Sequence, residues 1–422
     1  MQVLSQTAAT GPSAQIADTV KSNGYLSVTD ATARLGSGNF PIEHVTGELR
    51  FTPEELTWQG LRCSYRGVEY TSSGKLVDPS APRVLIDVTS KDLLYTAAFA
   101  IKDDVIRLSK LDGRYLRSKF SATGDLSLAD PATVDAELKG KFSLDLADLR
   151  KISKNSAGIR KMKASGKVTA EFELSGDLKD LKECYVNAKM KAKEMFVYGL
   201  KFTGATFNLV QEQGVGSIKS MRSSFYGGTI SVTARIDWLA KGLPYSANLD
   251  AIGVKLEDLK ADTDSRDKDV SGDIKVYADV KGIFKDASRL TAIGHIGLSK
   301  GRLWQLDLFK GAGTLIFSKD FSDIVFTSGA CDYKVRDNAC FIDNLVMKSD
   351  VLTISGSGRI GFDRSVEGVL RPEISEDIAE SGTLASAVGK GTVIEIGGTL
   401  KDPSFKTKTS MMSVVGAMLH QD

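Results

Sequence analysis

The sequence is poor in the residues that build metal and thiol–imidazole sites. Its 422 residues hold three histidines (His44, His295, His420), and no two fall at metal-ligand spacing. The four cysteines (Cys63, Cys184, Cys331, Cys340) form no CxxC pair. Zinc sites and Cys/His catalysis are therefore disfavoured. Charge of one sign is also missing: 55 Lys and Arg stand against 53 Asp and Glu, without the basic surplus of nucleic-acid binders. No apolar run reaches the roughly 20 residues that cross a bilayer. Met1 to Gly24 has neither a basic n-region nor an apolar h-region. Proline is scarce, at nine, while glycine is abundant, at 40, the punctuation of a strand-rich chain with many tight turns.

What the sequence does have is alternation. Val168, Ala170, Phe172 and Leu174 share one parity, and Lys167, Thr169, Glu171 and Glu173 the other. Ile230, Val232, Ala234, Ile236 and Trp238 repeat the pattern, as do Ile274, Val276, Ala278 and Val280. Such runs read as antiparallel strands with one dry and one wet face. Turns are expected at Asp112-Gly113, Thr123-Gly124, Asp337-Asn338 and Gly397-Gly398. Helical spacing is sparse. It predicts a short helix around Gln15–Lys21, an interrupted helix between Asp145 and Lys163, another through Ile374–Val388, and a C-terminal helix carrying Met411, Val414, Val415, Met418 and Leu419.

The chain also repeats itself. Ser165-Gly166 recurs as Ser271-Gly272, and the same offset of 106 carries Gly176 to Gly282, Asp180 to Asp286, Tyr198 to Trp304 and Leu200 to Leu306. Upstream, Leu146-Ala147-Asp148-Leu149 matches Leu256-Glu257-Asp258-Leu259 with a four-residue deletion before the Ser-Gly. Gly398-Thr399-Leu400-Lys401-Asp402 echoes Gly176-Asp177-Leu178-Lys179-Asp180. One supersecondary unit is being reused. Tyr198 and Trp304, equivalent in the repeat, are expected to pack inside.

At about 12 residues per strand and turn, the chain holds roughly 25–30 strands. A few short helices cannot cover their dry face. That face fills a sandwich or barrel core, or it stays open for an apolar ligand. Exposing one ~16-carbon acyl chain to water costs on the order of 12 kcal/mol, at about 0.8 kcal/mol per CH₂. A long dry trough free of charge would remove that cost while a headgroup stays wet. The expected fold is all-β: an elongated, curved antiparallel sheet of repeated units forming an open groove, with a few short helices. Residues expected to line the groove are Val168, Phe172, Leu174, Ile230, Val232, Ile236, Ile274, Val276 and Val280.

The C-terminal third carries a resemblance. Ile354-Ser355-Gly356-Ser357-Gly358-Arg359-Ile360-Gly361-Phe362-Asp363, then Val366–Pro372, then Gly398-Thr399-Leu400-Lys401-Asp402-Pro403 resemble the closing region of AsmA-like proteins. The internal "L-x-x-L…S-G…G-x-L-K-D" units are similar to that family's repeats over most of residues 140–410. The resemblance implies a β-groove that binds or conducts phospholipid in the periplasm and supports outer-membrane lipid homeostasis and assembly. It also implies an inner-membrane anchor in the full-length protein, absent from this chain. Partners implied are phospholipid and a membrane surface or envelope protein. The alternative is a lipid-free β-repeat scaffold that organises envelope proteins.

The expected division is a flexible N-terminal segment over 1–24, a β-repeat region over 25–144, and a β-groove repeat with a leading helix over 145–270. A C-terminal β region over 271–408, with a helical insertion at about 373–390, precedes a short helix over 409–422. No nucleophile, base or ligand constellation appears, so no enzyme activity, cofactor or metal is expected, nor a nucleic-acid partner. By the offset His295 takes the position of Lys189, on the wet face with Lys191 and Lys193. His44 and His420 lack partners in sequence. Glu54-Glu55 and Asp103-Asp104 read as turn residues, and the glycines at 311, 313, 356, 358 and 361 precede strands without a phosphate-loop lysine. A turn at Asp337-Asn338 sets Cys340 opposite Val335, which disfavours a disulfide to Cys331.

Overall fold

The fold is known from a computed structural model that describes residues 23–409, apart from 36–39, 131, 153–161, 264, 285, 303–325, 351 and 375–391. The helices expected around Gln15–Lys21, over most of 373–390 and after 409, and the environment of Trp304, lie outside the described residues. Glu373 and Ile374 are strand.

The described residues hold 23 strands, antiparallel and beside their neighbours in chain order within each unit. Two units divide the chain: residues 1–152 with 167–189, and residues 153–166 with 190–422. The first unit opens with β1 (Gly24–Leu35), β2 (Phe40–Phe51), β3 (Glu55–Tyr65), β4 (Val68–Val77) and β5 (Arg83–Ser90). It continues through β6 (Leu93–Lys102), β7 (Val105–Tyr115), β8 (Ser118–Ser127) and β9 (Asp135–Asp145). A helical turn at Leu146–Asp148 and α1 (Leu149–Ile152) follow, then most of β10 (Ser165–Asp177) and the start of β11 (Tyr185–Val197).

The second unit holds the rest of β11, then β12 (Leu200–Glu212), β13 (Val215–Phe225), β14 (Gly228–Asp237) and β15 (Pro244–Lys255). After α2 (Leu256–Leu259) and a 3₁₀ turn at Lys260–Asp262 come β16 (Ser271–Ile283), β17 (Asp286–Arg302), β18 (Phe326–Arg336) and β19 (Ala339–Ser349). The unit closes with β20 (Leu352–Gly361), β21 (Val366–Ile374), β22 (Thr392–Gly398) and β23 (Pro403–Thr409).

The expected repeat is visible in the backbone. Both Leu-rich tetrapeptides form short helical turns after a long strand, and both Ser-Gly pairs open 13-residue strands, β10 and β16. Gly166 and Gly272 each have a positive φ, +108° and +136°, in a backbone region that favours glycine. A Cβ on Gly166 would meet Glu194 O and Met195 Cα, and one on Gly272 would meet Lys300 O and Gly301 Cα. Those neighbours are themselves 106 residues apart, so the offset survives in three dimensions.

Three expected turns are corrected. Asp112-Gly113 lies inside β7, Thr123-Gly124 inside β8, and Gly397-Gly398 ends β22, paired with Ser404 and Pro403 ahead of the turn. These strand glycines make room. Gly113 sits opposite Phe120 and would clash with its ring, as would Gly140 with Phe172, Gly74 with Trp58 and Gly294 with Tyr333. A glycine under a cross-strand ring gives the aromatic a flat seat within the sheet. Tyr198 is corrected too: it is 64 % exposed at the β11–β12 turn, where a φ of +55° points a tip residue away from either face. Asp337-Asn338 and Asp103-Asp104 do form hairpin turns, with φ positive at both residues of each pair, as type I′ geometry needs.

The turn before α1 is pinned by one carboxylate. Buried Asp148 accepts from the Arg117 backbone N–H at 2.9 Å and the Ser118 hydroxyl at 2.9 Å, and pairs with Arg117 Nε at 3.1 Å. Burial alone would push this carboxyl up, but those donors outweigh it and hold the group below the usual range. Its stabilisation is thus fully present above the ordinary aspartate value of about 3.9 and is lost as pH falls through the depressed folded value. Asp148→Asn should cost about 1–3 kcal/mol at pH 7, speed hydrogen exchange at the Arg117 amide, and narrow the stability difference between pH 7 and pH 3. Urea titrations at the two pH values check it.

Candidate functional surface

Ladder pairing carries the faces from strand to strand, because paired residues point the same way. In the first unit one rung runs Leu49, Trp58, Gly74, Ile86, Ala97, Leu111, Ala122, Gly140, Phe172 across β2 to β10. Large and small residues alternate along much of it, so each bulky side chain leans over a small neighbour. Following the register through the other rungs of β3 to β10 gives a face without Asp, Glu, Lys or Arg among the described residues. The opposite face holds the charges, in exposed pairs such as Lys139–Glu173 at 3.1 Å and Lys141–Glu171 at 2.9 Å. Pairs of this kind contribute less than about 1 kcal/mol each and serve mainly to keep that face wet.

The second unit has the same division. Its rung from β12 to β21 runs Leu209, Ile218, Ala234, Ala247, Val280, Ala292, Val335, Cys340, Ile360, Val366. Bulges maintain the phase where the sequence alone would lose it. One extra residue between Leu108 and Leu111, and another between Ile218 and Met221, returns apolar side chains to the dry face.

All nine residues expected to line a groove lie on these dry faces. Val168, Phe172 and Leu174 stand on β10 in the first unit. The other six gather on β14 and β16 of the second, joined through β15 in the rungs Ile230–Ala251–Val276 and Val232–Leu249–Ala278. Val168 and Ile230 are buried; Phe172, Leu174, Val232, Ile236, Ile274, Val276 and Val280 are half-buried. Ile230 belongs to a cluster with Phe225, Ala251 and Val254, against which Val232, Ile274, Val276 and Leu259 pack. Phe202 and Phe225 lie 5.1 Å apart at its edge. Tyr226 fastens the 3₁₀ turn beside it, donating to Asp262 at 2.5 Å, and burial followed by that bond pushes its hydroxyl up to about 12.

Most large side chains of the face are neither buried nor free. For the first unit, ten strands about 4.8 Å apart and about 33 Å long give a face of roughly 1,600 Å². The largest apolar patch on a typical monomer is about 300–600 Å². Polar atoms are few: on the first unit's face Trp58 Nε1 donates to Ser72 at 2.9 Å, and on the second the Ser223 hydroxyl donates to Thr203 O at 3.0 Å, while buried Trp238 Nε1 over Gly216 finds no partner among the described residues.

His44 and His295 are exposed, and His420 lies outside the described residues. His295 bonds Asp332 at 2.9 Å, with Asn344 donating to the same carboxylate. His44 meets Asp30 at 2.7 Å, a partner that a sharp positive-φ kink at both residues creates and that sequence spacing conceals. Lys189, Lys191 and Lys193 are exposed, as expected. Among the described residues no cluster of three His, Cys, Asp or Glu side chains is placed to hold a metal, and no helix is long and apolar enough to cross a membrane. Comparison with family models, curated proteins and solved structures finds no match to this chain.

Cys340 pairs with Val335 and Cys331 with Ile296, and none of the four cysteines forms a disulfide. Burial pushes every one of these thiols up. The folded protein should react slowly with a thiol reagent at pH 7. Unfolding without reductant should expose four alkylatable thiols, read as intact mass; fewer would mean a disulfide the register forbids.

Proposed function

We propose that this protein holds phospholipid acyl chains against its charge-free sheet face, without catalysis. The observation that carries the reading is a dry face, in each unit, with no charged residue among its described ladder rungs and with its large aliphatic side chains left half-buried. A lipid tail laid there would complete their burial. At about 0.8 kcal/mol per CH₂, even half a ~16-carbon chain sheltered is worth roughly 6 kcal/mol. A charge-free surface also sets no electrostatic step against movement along it, which suits conduction as well as storage. The resemblance to AsmA-like proteins supports a periplasmic setting, an inner-membrane anchor in the full-length protein, and a role in outer-membrane lipid homeostasis and assembly. A membrane surface or an envelope protein would supply and receive the lipid.

One observation favours the second reading, a lipid-free scaffold. Around Ile230 the face packs into a local core beneath Leu259, so that stretch needs no ligand to be dry. Native mass spectrometry with lipid extraction separates the two. The protein should co-purify with phospholipid, and Phe172→Asp combined with Val232→Asp should abolish loading while the strand signal in circular dichroism persists. A lipid-free, stable wild-type protein would turn the case to the scaffold.

A further inference from the structure

The two rims of the first unit's sheet, where its hairpin turns lie, differ in sign. One carries Arg66, Lys91, Arg117, Arg150 and Lys151 against Asp92 and Asp148. On the other, the turns at 52–54, 78–82, 103–104 and 128–134 carry Glu54, Asp78, Asp103, Asp104 and Asp130 with no lysine or arginine among their described residues, and the β10–β11 turn balances Lys179 and Lys182 with Asp180 and Glu183.

A depression of about 470 Å³ opens on the basic rim, between the β5–β6 turn, the β7–β8 turn and α1. Lys91, Arg114 and Lys151 line it from three different elements, are exposed, and have no ion-pair partner among the described residues. Arg117 also lines it but is engaged by Asp145 and Asp148. Asp148 in its wall and Asp145 beside it share Arg117, so with exposed Asp92 three carboxylates stand against four cations, of which Lys91, Arg114 and Lys151 are outside any ion pair among the described residues. Three unpaired cations around one concavity repel each other unless an anion joins them.

The depression also touches the dry face. Leu93 is in its wall and is the first dry-face residue of β6, in the rung Leu93–Tyr115–Ser118, while Leu94 and Arg114 belong to the wet face. The site therefore wraps the rim from polar to apolar side.

We propose that this depression receives a phosphate-bearing group, with Lys91, Arg114 and Lys151 as its cationic contacts, and that its physiological source is the headgroup of a lipid whose chains lie on the adjoining dry face. The lipid part rests on the acyl-chain reading above. The arginine offers a planar fork for two phosphate oxygens and the lysines offer point charges. The acidic opposite rim orients the lipid, repelling its phosphate from that side.

The test uses the whole chain and a triple variant, K91Q/R114Q/K151Q, whose positions are exposed and whose fold circular dichroism should find unchanged. Both proteins are titrated with phosphatidylglycerol, with diacylglycerol of the same chains, and with inorganic phosphate alone. The variant should lose affinity for phosphatidylglycerol about tenfold or more, keep diacylglycerol within about twofold, and differ less from wild type as salt rises. Equal affinity of the two proteins for phosphatidylglycerol, with diacylglycerol bound, overturns the rim site and leaves the dry-face reading standing; loss of both lipids alike also contradicts it. If the wild type binds neither lipid, the dry-face reading fails and inorganic phosphate decides the rim. Phosphate bound by the wild type and lost in the variant supports an anion site for free phosphate, and phosphate ignored by both overturns the site.

Discussion

The constraint on which everything else depends is the parity of the β-ladder. In a meander every strand inherits its faces from the one before, so a single unbulged insertion would turn a dry strand wet and transmit the error to all later strands. The register shows that parity held from Trp58 to Phe172 in the first unit and from Leu209 to Val366 in the second. Keeping parity over so many rungs yields a face without charge. Because no second sheet is present among the described residues to fill it, that face becomes their main chemical feature.

A sheet with one layer must find stability within its own plane. It does so through rings laid over cross-strand glycines, alternation of large and small residues along the rungs, and helical turns at the strand ends. The Asp148 cluster and the Tyr226–Asp262 bond hold two such turns at related places in the repeat. The wet face adds paired surface charges, weak individually, that keep that side from competing for apolar contacts.

Much of this was legible in the residues. Regular alternation at 168–174, 230–238 and 274–280 announced strands and their faces, and the 106-residue offset announced the repeat. Gly113 and Gly124 misled because glycine next to a polar residue marks a turn when read locally, whereas here it marks the seat of a ring or the close approach of a neighbouring strand. Bulges hid the phase of β7 and β13, since an extra residue breaks alternation in sequence while restoring it in space. Tyr198 misled because equivalence in a repeat shows position, not burial. The rim cations at 91, 114 and 151 could not be grouped in advance, since only the ladder and the α1 turn bring them to one place.

The central claim is that lipid chains touch one face and not the other. Photo-crosslinking side chains placed at Ile86 and Leu249, on the dry faces, and at Asp87 and Asn248, their wet neighbours, test it most directly. The account predicts lipid adducts at positions 86 and 249 and none at 87 and 248. Adducts at both members of each pair, or at neither, would contradict it.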